Sequence, residues 1–275
     1  MGERGKPRPA IFRALGKLDP PAAVDVDGET FQLVEIFKHD SWAATAIYQS
    51  ATKKIVCKFN RQQSILGLPV RWLGRWLARR EAAHYRRLAD LPNVPHLCGP
   101  VSVAGDVLPY AVAHDYVEGR PLRADDVLPE SFLIELRSAF DEVHRRQMAY
   151  VDLHKRENIL VGDDGRPYLI DFQVSWMLPE NAGIFGSFKR WFLRQLQSID
   201  RYHLGKHESK LRTSLSGEPT TSSARPWWIR VHRVIAVPLR ETRRRLLVLV
   251  GVRKAKGRSH TEHFAEDAVR QESKV

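Results

Sequence analysis

From residue 28 to 60, apolar and polar positions alternate. Thr30-Phe31-Gln32-Leu33-Val34, Ala46-Ile47-Tyr48 and Ile55-Val56-Cys57-Lys58-Phe59 are rich in β-branched and aromatic side chains, the pattern of a strand meander. Between Val70 and Leu88 the period changes. Leu73, Leu77, His84 and Leu88 recur at helical intervals with Glu81 on the same stripe, which predicts a helix after the strands. Val101-Ser102-Val103 and Tyr110-Ala111-Val112-Ala113 resume strand composition around a turn at Ala104-Gly105-Asp106, and Glu118-Gly119-Arg120-Pro121 interrupts it. Ser131 to Met148 reads as a long helix. After it, Asn158-Ile159-Leu160-Val161 and Tyr168-Leu169-Ile170-Asp171-Phe172 flank Gly162-Asp163-Asp164-Gly165 as a second hairpin that ends on a carboxylate.

The organisation around these elements follows from composition. The first 27 residues, with Pro7, Pro9, Pro20 and Pro21, read as a flexible tail, and residues 213–226 have the Ser/Thr/Pro/Gly content of a linker. Apolar residues make up 43% of the 275-residue chain, enough for a buried core, and two cysteines are too few for a disulfide framework or a zinc module. The longest late apolar run, Leu246–Val252, is too short to span a bilayer, and the polar start lacks an apolar signal core, so a cytoplasmic protein is expected. Net charge is +12, yet residues 225–258 alone hold eleven Lys/Arg against the single acid Glu241. That segment interleaves Trp227, Trp228 and aliphatic residues with arginine. The mixture favours peripheral attachment of residues 227–258 to an anionic membrane surface at the inner face of the cytoplasmic membrane, with a further packed C-lobe helix bearing a solvated face as the alternative, and it disfavours nucleic acid as a partner. Gly183 to Leu196 has the same mixture and could extend that surface.

Alternation puts Lys58 on the strand face of Val56, opposite Ile55, Cys57 and Phe59. Glu81, on the apolar stripe of the next element, is costly there unless it meets a cation, and Lys58 is the nearest candidate in chain order. Further on, Tyr150-Val151-Asp152-Leu153-His154-Lys155-Arg156-Glu157-Asn158 is followed thirteen residues after Asn158 by Asp171-Phe172-Gln173. In this order the chain resembles the protein-kinase-like fold over about residues 28 to 200. The first stretch resembles its catalytic loop, and Asp171-Phe172-Gln173 resembles its magnesium-binding Asp-Phe-Gly motif with Gln in place of Gly.

The resemblance implies an α+β, two-lobed molecule: a small β-rich N-lobe at 28–118 and a mainly helical C-lobe at 119–212, then the linker and a basic segment at 227–275. It implies ATP and Mg²⁺ as ligands. Lys58 would contact the α/β-phosphates and Glu81 would orient it, Asp152 would serve the acceptor hydroxyl, Lys155 the transferring phosphate, and Asn158 and Asp171 the metal. Val56, Tyr116 and Val117 would line the adenine slot. The Asp-Leu-His loop and the brief segment after Asp171 are closer to the bacterial lipopolysaccharide core kinases and other small atypical kinases than to eukaryotic protein kinases, and Ser198 to Lys210 is similar to a basic segment of that group. The acceptor implied is a sugar hydroxyl of an envelope glycolipid. A protein serine/threonine is the rival acceptor, and a pseudokinase scaffold is the non-enzymatic alternative.

Three departures matter. Lys38 to Ala44, where a glycine-rich phosphate loop belongs, has no glycine, so Ser41 or Lys38 would have to supply side-chain donors. Asp152 also precedes Asn158 by six positions instead of five, which requires a bulge in the loop or a slipped assignment. Tyr150 and Val151 replace the usual His and Arg, which removes the arginine that pairs with a phosphorylated activation loop.

Overall fold

A computed structural model describes residues 9–64, 68–123, 125–180 and 183–216. The basic segment 227–258 and most of the expected linker lie outside these residues. The protein is α+β and divides into two compact units. Of the described residues, one contains those up to Ala82 together with Leu97–Tyr116; the other contains Ala83–His96 and those from Val117 to Ser216.

The first unit is built on an antiparallel sheet of β1 (Ala23–Val26), β2 (Glu29–His39), β3 (Ala43–Gln49), β4 (Lys54–Asn60), β5 (Ser102–Val103), β6 (Asp106–Val107) and β7 (Ala111–Asp115), in the order β6-β5-β1-β2-β3-β4-β7. Short connections make the meander β1 to β4, and β7 returns to pair beside β4 with Lys58 opposite Val112. Alternation sorts β4 as its sequence predicts. Ile55, Cys57 and Phe59 are fully buried with Val24, Phe31 and Tyr48 in one apolar cluster, while Lys54, Val56 and Lys58 share the other face. The turn at Ala104 and Gly105, both with positive φ, joins β5 to the two-residue β6 instead of to Ala111–Asp115, whose pairing partner is β4.

The described part of the expected tail, from Pro9 on, is part of this unit. Ala14 is fully buried, its N–H donates to Asp40 O at 2.7 Å, and its carbonyl accepts the N–H groups of Gln62 and Gln63 at 2.8 and 3.0 Å. Ahead of β1, which forms its end, the segment has no repeating pattern, and its order comes from these tertiary hydrogen bonds.

Helix α1 (Arg71–Arg87) contributes its residues up to Ala82 to this unit. Its buried side matches the predicted stripe at Glu81, His84 and Leu88 and departs from it in the first two turns. Leu73 and Leu77 are only half-buried, and the inward line runs through Gly74, Ala78 and Glu81. A Cβ on Gly74 would collide with the Arg61 carbonyl oxygen, so small residues are what let the helix lie against the chain that leaves β4.

The second unit holds α2 (Glu130–Arg145), which buries Phe132, Leu133, Leu136, Ala139, Phe140 and Val143 at three- and four-residue spacing. The helix stops earlier than predicted. Gln147 takes φ 59°, and Met148–Ala149 becomes strand β9, paired with β12 (Trp176–Met177). Strands β8 (Gly119–Pro121), β10 (Ile159–Gly162) and β11 (Pro167–Leu169) form a three-stranded sheet whose β10–β11 hairpin is the one predicted around Gly162–Gly165. Helix α3 (Gly186–Ser216) follows and runs into the first residues of the expected linker.

Candidate active site

In the first unit, Lys58 Nζ donates to Glu81 Oε1 at 3.1 Å. The carboxylate is 1% exposed and the lysine 8%. Two charges this dry are held only because each compensates the other's desolvation, and an apolar pair of similar volume would serve stability as well or better. The pairing predicted from one strand residue and one helix residue is therefore present. Val56 is half-buried on the Lys58 face, and Tyr116 donates its N–H to Lys54 O at 3.2 Å with the Lys54 ammonium 5.5 Å from its ring centroid. Val117, half-buried, belongs to the second unit.

The β2–β3 turn is organised by Asp40. Its Oδ1 accepts the N–H groups of Trp42 and Ala43 at 2.7 and 2.9 Å, and Lys38 pairs with Oδ2 at 3.0 Å. Burial by itself would raise the Asp40 carboxyl, but Lys38 and the two N–H donors more than reverse this and hold it below the usual carboxylate range. A carboxylate thus takes the backbone donors that a glycine-rich loop would offer to phosphate. The N-terminal segment clamps the same turn. Ser41 Oγ donates to Phe12 O at 3.1 Å, and the buried Arg61 guanidinium donates to the carbonyls of Ser41, Ile11 and Ser64. The Ser41 hydroxyl is accordingly engaged within the protein, and Lys38 is turned to Asp40.

In the second unit, a turn of 3₁₀ helix at Arg156–Asn158 lies within the six-residue step from Asp152 to Asn158. Asn158 Nδ2 donates to Asp152 Oδ2 at 3.1 Å, so the six-residue spacing still brings the two side chains together. Lys155 Nζ reaches the same oxygen at 2.7 Å and His154 Nδ1 lies 3.2 Å from Oδ1. Burial opposes the Lys155 charge, but hydrogen bonding to Asp152, with Asp171 and Glu157 nearby, raises the ammonium above its ordinary value. Register positions the next carboxylate. Ile159 pairs with Leu169, and Ile170 N–H donates to Asn158 O at 3.1 Å, which sets Asp171 immediately beyond Asn158's partner. Asp171 itself sits at φ 61°.

Packing holds this arrangement from behind. Tyr85, Phe172, Tyr150 and Phe140 meet edge to face in sequence, with centroids 5.1, 5.2 and 5.7 Å apart. His84 Nδ1 donates to Phe172 O at 3.0 Å, and the Tyr150 hydroxyl donates to Ile170 O. Helix α3 supplies anchors that sequence reasoning missed. Asp200 accepts the N–H groups of Tyr150 and Val151 at 2.7 and 2.8 Å and meets His144 Nε2 at 3.1 Å; His207 Nε2 donates to Leu153 O at 2.6 Å; His203 packs on His154. The spacing 200, 203, 207 is one helical stripe of polar residues, a signal that could have been read as a buried polar face.

Asn158, whose Nδ2 donates to Asp152, and Asp171 carry the amide and carboxylate oxygens that a divalent ion such as Mg²⁺ takes. Among the described residues no three His, Cys, Asp or Glu side chains cluster as metal ligands, so an ion there would need phosphate and water oxygens to complete its shell, as Mg²⁺ accepts. No family model and no curated protein matches this chain.

Proposed function

We propose that the protein is an ATP-dependent phosphotransferase of the protein-kinase-like fold, acting on a hydroxyl acceptor. The buried Lys58–Glu81 pair carries this reading. A dry ion pair gives little stability for its desolvation cost, so its retention points to a use for a fixed ammonium. In this reading Lys58, steered by Glu81, takes phosphate oxygens of the nucleotide, with Val56, Tyr116 and Val117 against the base. Bound Mg²⁺ would supply charge neutralisation for the triphosphate, held by Asn158 and Asp171. Asp152 orients the acceptor and accepts its hydroxyl proton as the new O–P bond forms and ADP departs, while Lys155 balances charge on the phosphoryl group. The resemblance to lipopolysaccharide core kinases makes a glycolipid sugar the acceptor, with a protein serine or threonine as rival. Attachment to the inner face of the cytoplasmic membrane through residues 227–258 belongs to the same reading. No described helix is long and apolar enough to cross a membrane.

A second reading, a nucleotide-binding or scaffold module without turnover, draws on Asp40, which fills the N–H cradle of the β2–β3 turn with negative charge. One experiment separates the two. Label from γ-phosphate-labelled Mg·ATP is followed into fractionated lipids, saccharides and proteins, for the native chain and for Asp171→Ala. Transfer abolished by Asp171→Ala supports the enzyme, and the labelled fraction identifies the acceptor class. Nucleotide binding with no labelled fraction favours the scaffold, and transfer undiminished in Asp171→Ala removes the proposed site.

A further inference from the structure

Helix α1 is turned with its largest apolar side chains outward. Gly74 and Ala78 are buried, whereas Trp72 and Trp76, one helical turn apart, are 66% and 48% exposed. Hydrophobic burial alone would favour the opposite rotation, because a tryptophan removes several times more apolar surface from water than an alanine. The rotation is imposed by the close approach at Gly74 and by the need to bring Glu81 to Lys58. The outcome is an outer face on which Arg71, Arg75 and Arg79, at i, i+4 and i+8, run exposed beside the two tryptophans. Arg80 lies 5.0 Å from the Trp76 ring centroid, a cation–π contact that steadies the ring at the surface. The chain has no acidic residue between Asp40 and Glu81, and Glu81 is buried, so nothing on the helix neutralises this face.

We infer that this face of α1 docks on an anionic phospholipid surface. Arginines pair with lipid phosphates, and tryptophans settle at the headgroup level, where an apolar ring with one polar N–H is most stable. Exposed Leu68, just ahead of the helix, adds an aliphatic contact that suits acyl chains and has no counterpart in phosphate or base recognition. The second unit independently carries a face of the same chemistry. Ile184, Phe185, Phe188 and Trp191 are exposed around Arg190 and Arg194, with no acid between Glu180 and Asp200.

The test uses the full chain without nucleotide, so its outcome is separate from that of the phosphotransferase reading. Co-sedimentation is measured with vesicles of phosphatidylcholine alone and with about 30 mol% phosphatidylglycerol added. Two variants are compared, Trp72→Ser/Trp76→Ser and Arg71→Gln/Arg75→Gln/Arg79→Gln, each checked for an unchanged thermal midpoint. The native chain is expected to partition onto the anionic vesicles, and each variant to lose about tenfold or more of that partitioning. Partitioning that neither variant alters overturns the inference and assigns attachment to another segment. Absence of native binding overturns it as well, as does tighter binding of a labelled single-stranded oligonucleotide with the same residue dependence.

Discussion

Asp200 Oδ1 accepts the N–H of Val151 at 2.8 Å, and Val151 is held at φ 71°, a left-handed backbone that a β-branched residue adopts at a cost. The anchor and the strain belong together. Fully buried Asp200 also takes the Tyr150 N–H, so one carboxylate sets the backbone that carries Asp152.

Removing that carboxylate should loosen the loop more than removing the strained side chain. Asp200→Ala is expected to cost about 3 kcal/mol, since it orphans two backbone donors and the His144 ring. Val151→Gly should cost under about 1 kcal/mol, because relief of the positive φ offsets lost packing. Urea unfolding of both variants checks the order, and a larger loss in Val151→Gly contradicts it.

The Lys58–Glu81 pair should behave as a coupled unit. Glu81→Leu and Lys58→Met are each expected to destabilise by about 3 kcal/mol, and the double variant by much less than the sum, since no uncompensated charge remains. A double-mutant cycle measures the coupling. Additive losses would mean that the two charges are solvated separately.

Burial, first of all, lowers the His207 pKa to about 4; the Arg156 charge adds to this and the bond to Leu153 opposes it. Unfolded His207 protonates near pH 6.5, whereas the folded ring does so only near 4. Between these values the unfolded chain binds more protons, so acidification through that window lowers stability by an amount on the order of 2 kcal/mol. His207→Gln, which keeps a donor for Leu153 O, should flatten this part of the stability–pH curve. An unchanged curve would assign the effect to another group.

Asp40→Gly tests the turn directly. It removes the acceptor for Trp42 and Ala43 N–H, and stability should fall by about 1–2 kcal/mol. If the turn faces nucleotide phosphate, the same change frees two donors and removes a negative charge, and Mg·ATP affinity rises several-fold by calorimetry. Weaker nucleotide binding in Asp40→Gly would show that the carboxylate is not the obstacle.

Local pattern carried much of the architecture. Alternation placed Lys58 and Val56 on one face of β4, helical spacing located α1 and α2 to within a few residues, and Gly162 to Gly165 marked the β10–β11 hairpin that sets Asp171 beside Asn158's partner. The six-residue step from Asp152 to Asn158 was visible too, but the 3₁₀ turn within it was not. That turn depends on side-chain hydrogen bonds within a loop that has no period.

The sequence by itself therefore determined which residue types could do chemistry and on which elements they lie, since those follow from periodicities of two and 3.6 along the backbone. Only the tertiary structure decided that Ala14 is core, that Asp40 fills its own turn, that Asp200 and His207 brace the loop, and that α1 buries glycine and alanine while exposing tryptophan. These outcomes rest on close approach between segments distant in the chain. There, the space available and the hydrogen bonds still to be satisfied outweigh the hydrophobicity of any single residue.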